Sequence, residues 1–112
     1  MNRTATLIAA LEPLALAPDE QLAYLAALGV GETADELALQ FDDAFRYAHP
    51  MGQASLDAAL RALNERLSMM SDTGKAALWS PLALAQGEDW VFIRRTAARA
   101  LELTRALDDA RV

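Results

Sequence analysis

TADELALQFDDAFRYAH, residues 33–49, is the stretch whose reading decides the fold. Thr33 and, three residues on, Glu36 match a capping box, in which the hydroxyl accepts from a first-turn amide and the carboxylate reaches back to the cap amide. Asp35 and Glu36 fall where the helix dipole favours negative charge. Leu37, Phe41, Ala44, Phe45 and Ala48 recur at steps of three and four, so they share one helical face. Pro50 ends the helix, because the residue ahead of a proline is driven out of the helical region. A second face carries Asp35, Leu39, Asp42 and Arg46; Asp42 and Arg46 form an i,i+4 pair worth about 0.3 kcal/mol. A flank carries Glu36, Gln40, Asp43 and Tyr47. Leu39 is apolar in the middle of the acidic face. In a helix packed on two sides it is expected to be a second core contact, with an exposed binding anchor as the alternative.

The neighbouring segments read as helices too. Ser55 is the expected cap of the next one, and Leu56, Leu60, Leu63, Leu67 and Met70 follow at spacings of four, three, four and three. That narrow seam is of the coiled-coil type and is expected to pack within the chain rather than between chains. Residues 75–86 form a short helix, broken and re-capped at Ser80-Pro81 and closed by Gly87. Asp89 caps a last helix over 90–107, whose inner face is Trp90, Ile93, Ala97, Ala100, Leu101, Thr104 and Leu107. Towards the N-terminus, residues 18–28 start on Pro18 and stop at Gly29, burying Leu22, Leu25, Ala26 and Tyr24 or Leu28. Residues 4–11 form the first helix, with Leu7, Ile8 and Leu11 on one side and Pro13 ending or kinking it. Alanine and leucine dominate and β-branched residues are few, which favours helix over strand. The expectation is an all-α single domain over residues 1–112, a bundle of five to six short helices in orthogonal or irregular packing. Helices 33–49 and 55–70 are expected at its centre.

At 112 residues the chain is long enough for a substantial core. It has no cysteine, which excludes disulfides, thiol catalysis and thiolate metal sites. The net charge is −6, unevenly laid out. Between residues 4 and 45 there are eight acids and no Lys or Arg, whereas from Arg46 onward nine bases and eight acids nearly cancel. A one-sign segment of this kind repels nucleic acid and membrane surfaces and attracts basic partners, although solubility alone also benefits from it. No run approaches the roughly 20 apolar residues of a membrane span. Arg3, the apolar run 5–11 and Ala15-Leu16-Ala17 loosely imitate a secretion signal, but Glu12 and Pro13 interrupt it and a cytoplasmic location is expected.

The candidate chemistry is thin. His49 stands alone, with no second histidine at metal-ligand spacing and no nucleophile tied to it; before Pro50 its expected role is to cap carbonyls at a helix end. Asp42 and Asp43 point about 100° apart on a helix, so they make a solvated face rather than a catalytic dyad. Arg94 and Arg105 share one side of the last helix and Arg95 and Arg99 another, and all four are expected to pair with the acidic N-terminal half, within or between chains. Trp79 and Trp90 are expected to plug the open end of the core.

No catalytic, cofactor or metal residues are assigned, and no enzyme activity is expected, because the predicted core faces are almost entirely Leu, Ala, Phe and Met. The leading expectation is a protein–protein interaction module for a basic protein partner. Asp35, Glu36, Asp42 and Asp43 would steer the partner and Leu39 and Tyr47 would anchor it. In size, charge and helicity the chain is similar to colicin-type immunity proteins, which implies neutralisation of a toxin; the likeness is one of class and carries no shared motif. The alternatives are a homodimer or larger homo-oligomeric scaffold, joined by its acidic and basic helices, and a carrier of a hydrophobic small ligand in the core.

Overall fold

In the computed structural model, which describes residues 2–29, 34–72 and 75–110, the described residues form six α-helices and one 3₁₀ turn joined by short links. They are α1 (Arg3–Ala15), α2 (Pro18–Leu28), α3 (Asp35–Ala48), α4 (Ala54–Met70), the 3₁₀ turn Ala76–Trp79, α5 (Pro81–Gln86) and α6 (Glu88–Ala110). The protein is an all-α bundle.

Helices α3, α1, α6 and α4 are stacked in that order, each packing chiefly on its neighbours in the series. The centre is therefore α1 and α6, not residues 33–49 and 55–70 as the sequence suggests. The reason lies in α1: Leu7, Leu11 and Leu14 are completely buried, because α6 covers one side of the helix and α3 the other. Helix α1 is tied near each of its ends to the C-terminal part of α6, by Thr4 Oγ1 donating to Asp108 Oδ1 at 2.8 Å and by Arg105 Nη2 donating to Glu12 Oε2 at 2.8 Å.

Pro13 neither ends nor kinks α1 to a stop; the helix runs on to Ala15. A proline there removes the amide that would bond the Ala9 carbonyl, but Ala9 is on the exposed side, where water can take its place. Burial of Pro13 and Leu14 favours continuing the helix. The carbonyls of Pro13 and Leu14, in the last turn of α1, need donors, and the sequence supplies few. Pro18 has no amide to give Leu14, and the Ala17 amide turns to Glu20 Oε1 at 3.4 Å. The Gln21 side chain fills the gap: its Nε2 donates to Pro13 O at 3.1 Å and to Leu14 O at 3.0 Å, and the residue is fully buried. Arg94 Nη1 in turn donates to Gln21 Oε1 at 3.2 Å and to Leu84 O at 2.8 Å, which joins α1, α2, α5 and α6. Burial there holds the Arg94 guanidinium below its ordinary pKa.

The long stripes behave as expected. Leu56, Leu60, Leu63, Leu67 and Met70 of α4 are all buried within the chain, as are Trp90, Ile93, Ala97, Ala100, Leu101 and Thr104 of α6. Trp79 and Trp90 meet edge to face at 5.7 Å and close one end of the core, their indole N–H groups donating to Met70 O and Leu78 O, each at 2.8 Å. Ser80 caps α5 by accepting from the Ala83 amide at 3.1 Å.

Several boundaries differ. Gln53, not Ser55, caps α4 by accepting from the Leu56 amide. Asp89 lies inside the first turn of α6, and its carboxylate is taken by Arg66 of α4 at 2.7 Å. In α2, Ala26 and Leu28 are exposed while Gln21 is buried, because the helix turns its Gln21–Leu25 side inward. Thr33 lies outside the described residues; at the described start of α3, Ala34 O accepts from the Leu37 amide at 3.0 Å.

Candidate partner-binding surface

Helix α3 sits at one edge of the stack. Leu37, Phe41, Ala44 and Ala48 face inward and are buried, as their spacing requires, and Phe45 is half-buried between the Phe41 ring and the His49 ring. Contact with α4 is slight, so much of the rest of α3 faces solvent. Leu39 is 58% exposed. The expected second core contact is not made, because α3 is buried chiefly through α1 and its Leu39 side has no helix laid across it.

Five of the six residues assigned to partner binding fall on two different surfaces. Asp35 and Leu39 line a hollow of about 450 Å³ between α3, the end of α4 and the 3₁₀ turn. Leu39 and Asp42 line a second, of about 320 Å³, between α3 and α4. Asp43 and Tyr47 turn instead towards α1 and α2, where with Tyr24 and Gln40 they line a separate hollow of about 610 Å³. There Tyr24 donates its hydroxyl to Gln40 Oε1 at 2.9 Å. Glu36 is half-buried in the first turn of α3, apart from the residues that line the three hollows. The division follows the two sequence faces, since residues 35, 39 and 42 lie on one side of the helix and 40, 43 and 47 on the other.

The charge on the Leu39 side is only partly answered. Asp42 Oδ2 pairs with Arg46 Nε at 3.1 Å, both groups well exposed. Among the described residues Asp35, Glu36 and Asp43 make no salt bridge. Among the described residues, the expected pairing of the α6 arginines with the acidic half is made within the chain by Arg105 and Glu12 alone. Arg94 serves Gln21 and Leu84 O, and Arg99 stays within α6 on Glu102 at 3.8 Å.

His49 does not cap carbonyls with its ring. The ring stacks on Phe45 at 4.6 Å, and Nε2, which makes no hydrogen bond, lies 3.9 Å from Asp57 Oδ1. Arg3 Nη1 takes the capping role, 3.4 Å from both Ala48 O and Pro50 O. Asp57 was not singled out by the sequence, yet its carboxylate accepts from the Met51 amide at 2.8 Å and the Gly52 amide at 3.0 Å and so fixes the α3–α4 corner. Among the described residues no three His, Asp or Glu side chains converge as a metal site, and no helix is long and apolar enough to cross a membrane. Two further residues also line the Leu39 hollows: Asp72, which the sequence did not single out, and Trp79, read as a plug of the core. The chain matches no protein-family model, curated protein or solved structure.

Proposed function

We propose that the protein is an interaction module that docks a basic protein partner on the outer side of α3, as an immunity-type protein would mask a basic toxin. The observation that supports this most is Leu39, 58% exposed with Asp35 and Asp42 one turn away on either side. Acids on the rim raise the encounter rate with a basic surface, and a desolvated leucine then slows dissociation. Leu82 is more exposed, at 66%, but lines none of the three hollows. The test is affinity capture from host lysate at low and high salt, followed by association kinetics with the captured protein. A stoichiometric basic protein, lost at high salt and bound more slowly by the Asp35→Lys/Asp42→Lys variant, is the expected result. Recovery of the bait alone at both salts, or kinetics unchanged in the variant, overturns the proposal.

Self-association is the second reading, favoured by the exposed Arg95 and Arg99 on α6, which offer a basic surface to the α3 of a neighbour. Light scattering across salt concentrations separates the two, since a salt-insensitive monomer excludes the oligomer.

A further inference from the structure

The two hollows on the Leu39 side share Ala38, Leu39, Ser71 and Asp72, so they adjoin each other along the groove between α3 and α4. We propose that this groove, and not the Asp43–Tyr47 surface, is the docking site, and that its occupant is an amphipathic helix of the basic partner. The inference rests on the docking reading above and narrows it.

Phe41, Leu67 and Met70 lie at the groove's base almost wholly buried, the uncharged polar Asn64, Ser68 and Ser71 stand on the α4 side, Leu39 forms one wall and Trp79 closes one end. The charges on its banks have one sign. Asp35 and Asp42 stand on the α3 side and Asp72 beyond the end of α4, and no Lys or Arg is among the described residues lining it. Asp35 is partly offset by the dipole at the start of α3, and Asp42 by Arg46. Displacing Arg46 from an exposed pair costs little. Asp72 lies one residue beyond the cap of α4, where the carbonyl end of that helix adds negative potential. The groove therefore selects an apolar segment with cations along its edges.

The shape selects a helix. The described residues contain no strand, so no sheet edge is offered to an extended peptide, and a trough between two helices suits the helix-in-groove mode. Asp35 and Asp42 are seven residues apart, a rise of roughly 10 Å. A helical occupant repeats that distance between positions i and i+7. Lys or Arg at those positions, with leucine-like side chains at i+3 and i+4, matches the acid–leucine–acid order on α3.

The test uses the full chain, ¹⁵N-labelled, and a synthetic helical peptide with Lys at i and i+7, Leu at i+3 and i+4, and Ala and Gln elsewhere. A control peptide carries Glu in place of Lys. The expected result is saturable shifts at the amides of Ala38, Leu39, Leu67 and Ser71 and at the Trp79 indole, absent with the control. Leu39→Glu and Asp72→Lys should each weaken binding about tenfold, while Asp43→Lys and Tyr47→Ala leave it unchanged. Circular dichroism of each variant confirms that it is folded. Shifts at Tyr24, Asp43 and Tyr47 instead, or no saturable binding, overturn the groove assignment. Concentration-dependent shifts in the groove without peptide overturn it too, in favour of a second copy of the chain. Neither result touches the lysate capture, which judges the docking reading separately.

Discussion

Replacing Gln21 with methionine should destabilise the protein by about 3 kcal/mol, although neither volume nor helix propensity changes much. Gln21 is fully buried and satisfies three groups: its amide donates to Pro13 O and Leu14 O, and its oxygen accepts from Arg94. Each lost hydrogen bond contributes about 1 kcal/mol, and a buried group left without a partner costs about 1–3 kcal/mol. Two carbonyls and part of a guanidinium are stranded by Gln21→Met. The carbonyls have no ready substitute, since Pro18 has no amide and the Ala17 amide is already directed at Glu20. Arg94 keeps Leu84 O, which limits its share of the loss. At about 2.1 cal/mol/K per residue over 112 residues, 1 kcal/mol corresponds to roughly 4 °C. The expected fall in Tm is therefore about 12 °C. Urea titration followed at 222 nm gives the free energy, and a double-mutant cycle with Arg94→Met isolates the Gln21–Arg94 share, expected at about 1 kcal/mol. A loss below about 0.5 kcal/mol for Gln21→Met would refute the reasoning, for it would mean that water reaches the end of α1 and that the glutamine is not what lets the helix run through Pro13.

Leu63→Ala, in the buried α4 stripe, should cost about 2–5 kcal/mol, whereas Leu39→Ala should change stability by less than about 0.5 kcal/mol; equal losses in urea melts would mean that Leu39 is a core residue after all. Gly87→Ala places a Cβ 2.6 Å from Ala83 O, and relief of that clash at the α5–α6 junction should cost about 1–3 kcal/mol by thermal melting. An unchanged Tm would show that the junction has slack. Asp57→Asn keeps one carbonyl acceptor but turns an amide nitrogen towards the Met51 or Gly52 N–H, and should lose about 1–3 kcal/mol in urea at neutral pH. A neutral outcome would show that the corner does not depend on the paired acceptor.

The residues whose role is set inside one helix were legible in the sequence. Leu56 to Met70 had to share a face because of their spacing, and Ser80-Pro81 had to start a helix because a hydroxyl followed by a ring fits no other position so well. What was not legible depends on which helix lies across the face. The Leu39 stripe and the Leu37 stripe are both compatible with burial; that α1 covers the second and nothing is laid across the first is decided by α1 and α6 pairing at the centre. The same holds for the candidate site. The sequence separated Asp35, Leu39 and Asp42 from Asp43 and Tyr47 by angle, but Asp72 and Trp79 join the first set only once the end of α4 and the 3₁₀ turn are folded beside α3. Gln21 and Asp57 were missed for a related reason. A buried polar side chain is explained by the backbone groups it satisfies, and those belong to other segments.

The disposition of the arginines bears on whether the acidic face is a site or a device for solubility. A fold selected for even surface charge would intersperse its bases among its acids. Here Arg66 is held by Asp89 and lies over Phe92, Arg94 is held by Gln21 and Leu84 O, Arg99 by Glu102 and Arg105 by Glu12. Among the described residues Arg46 alone of the bases forms an ion pair on α3, and it is the most exposed partner in those five pairs. The described lining of the α3–α4 groove is thus left negative while these four arginines are held elsewhere, and an apolar side chain, Leu39, forms one of its walls. Solubility accounts for the acids and not for the leucine, since an apolar side chain at that place lowers solubility. Docking of a cationic, partly apolar segment accounts for both.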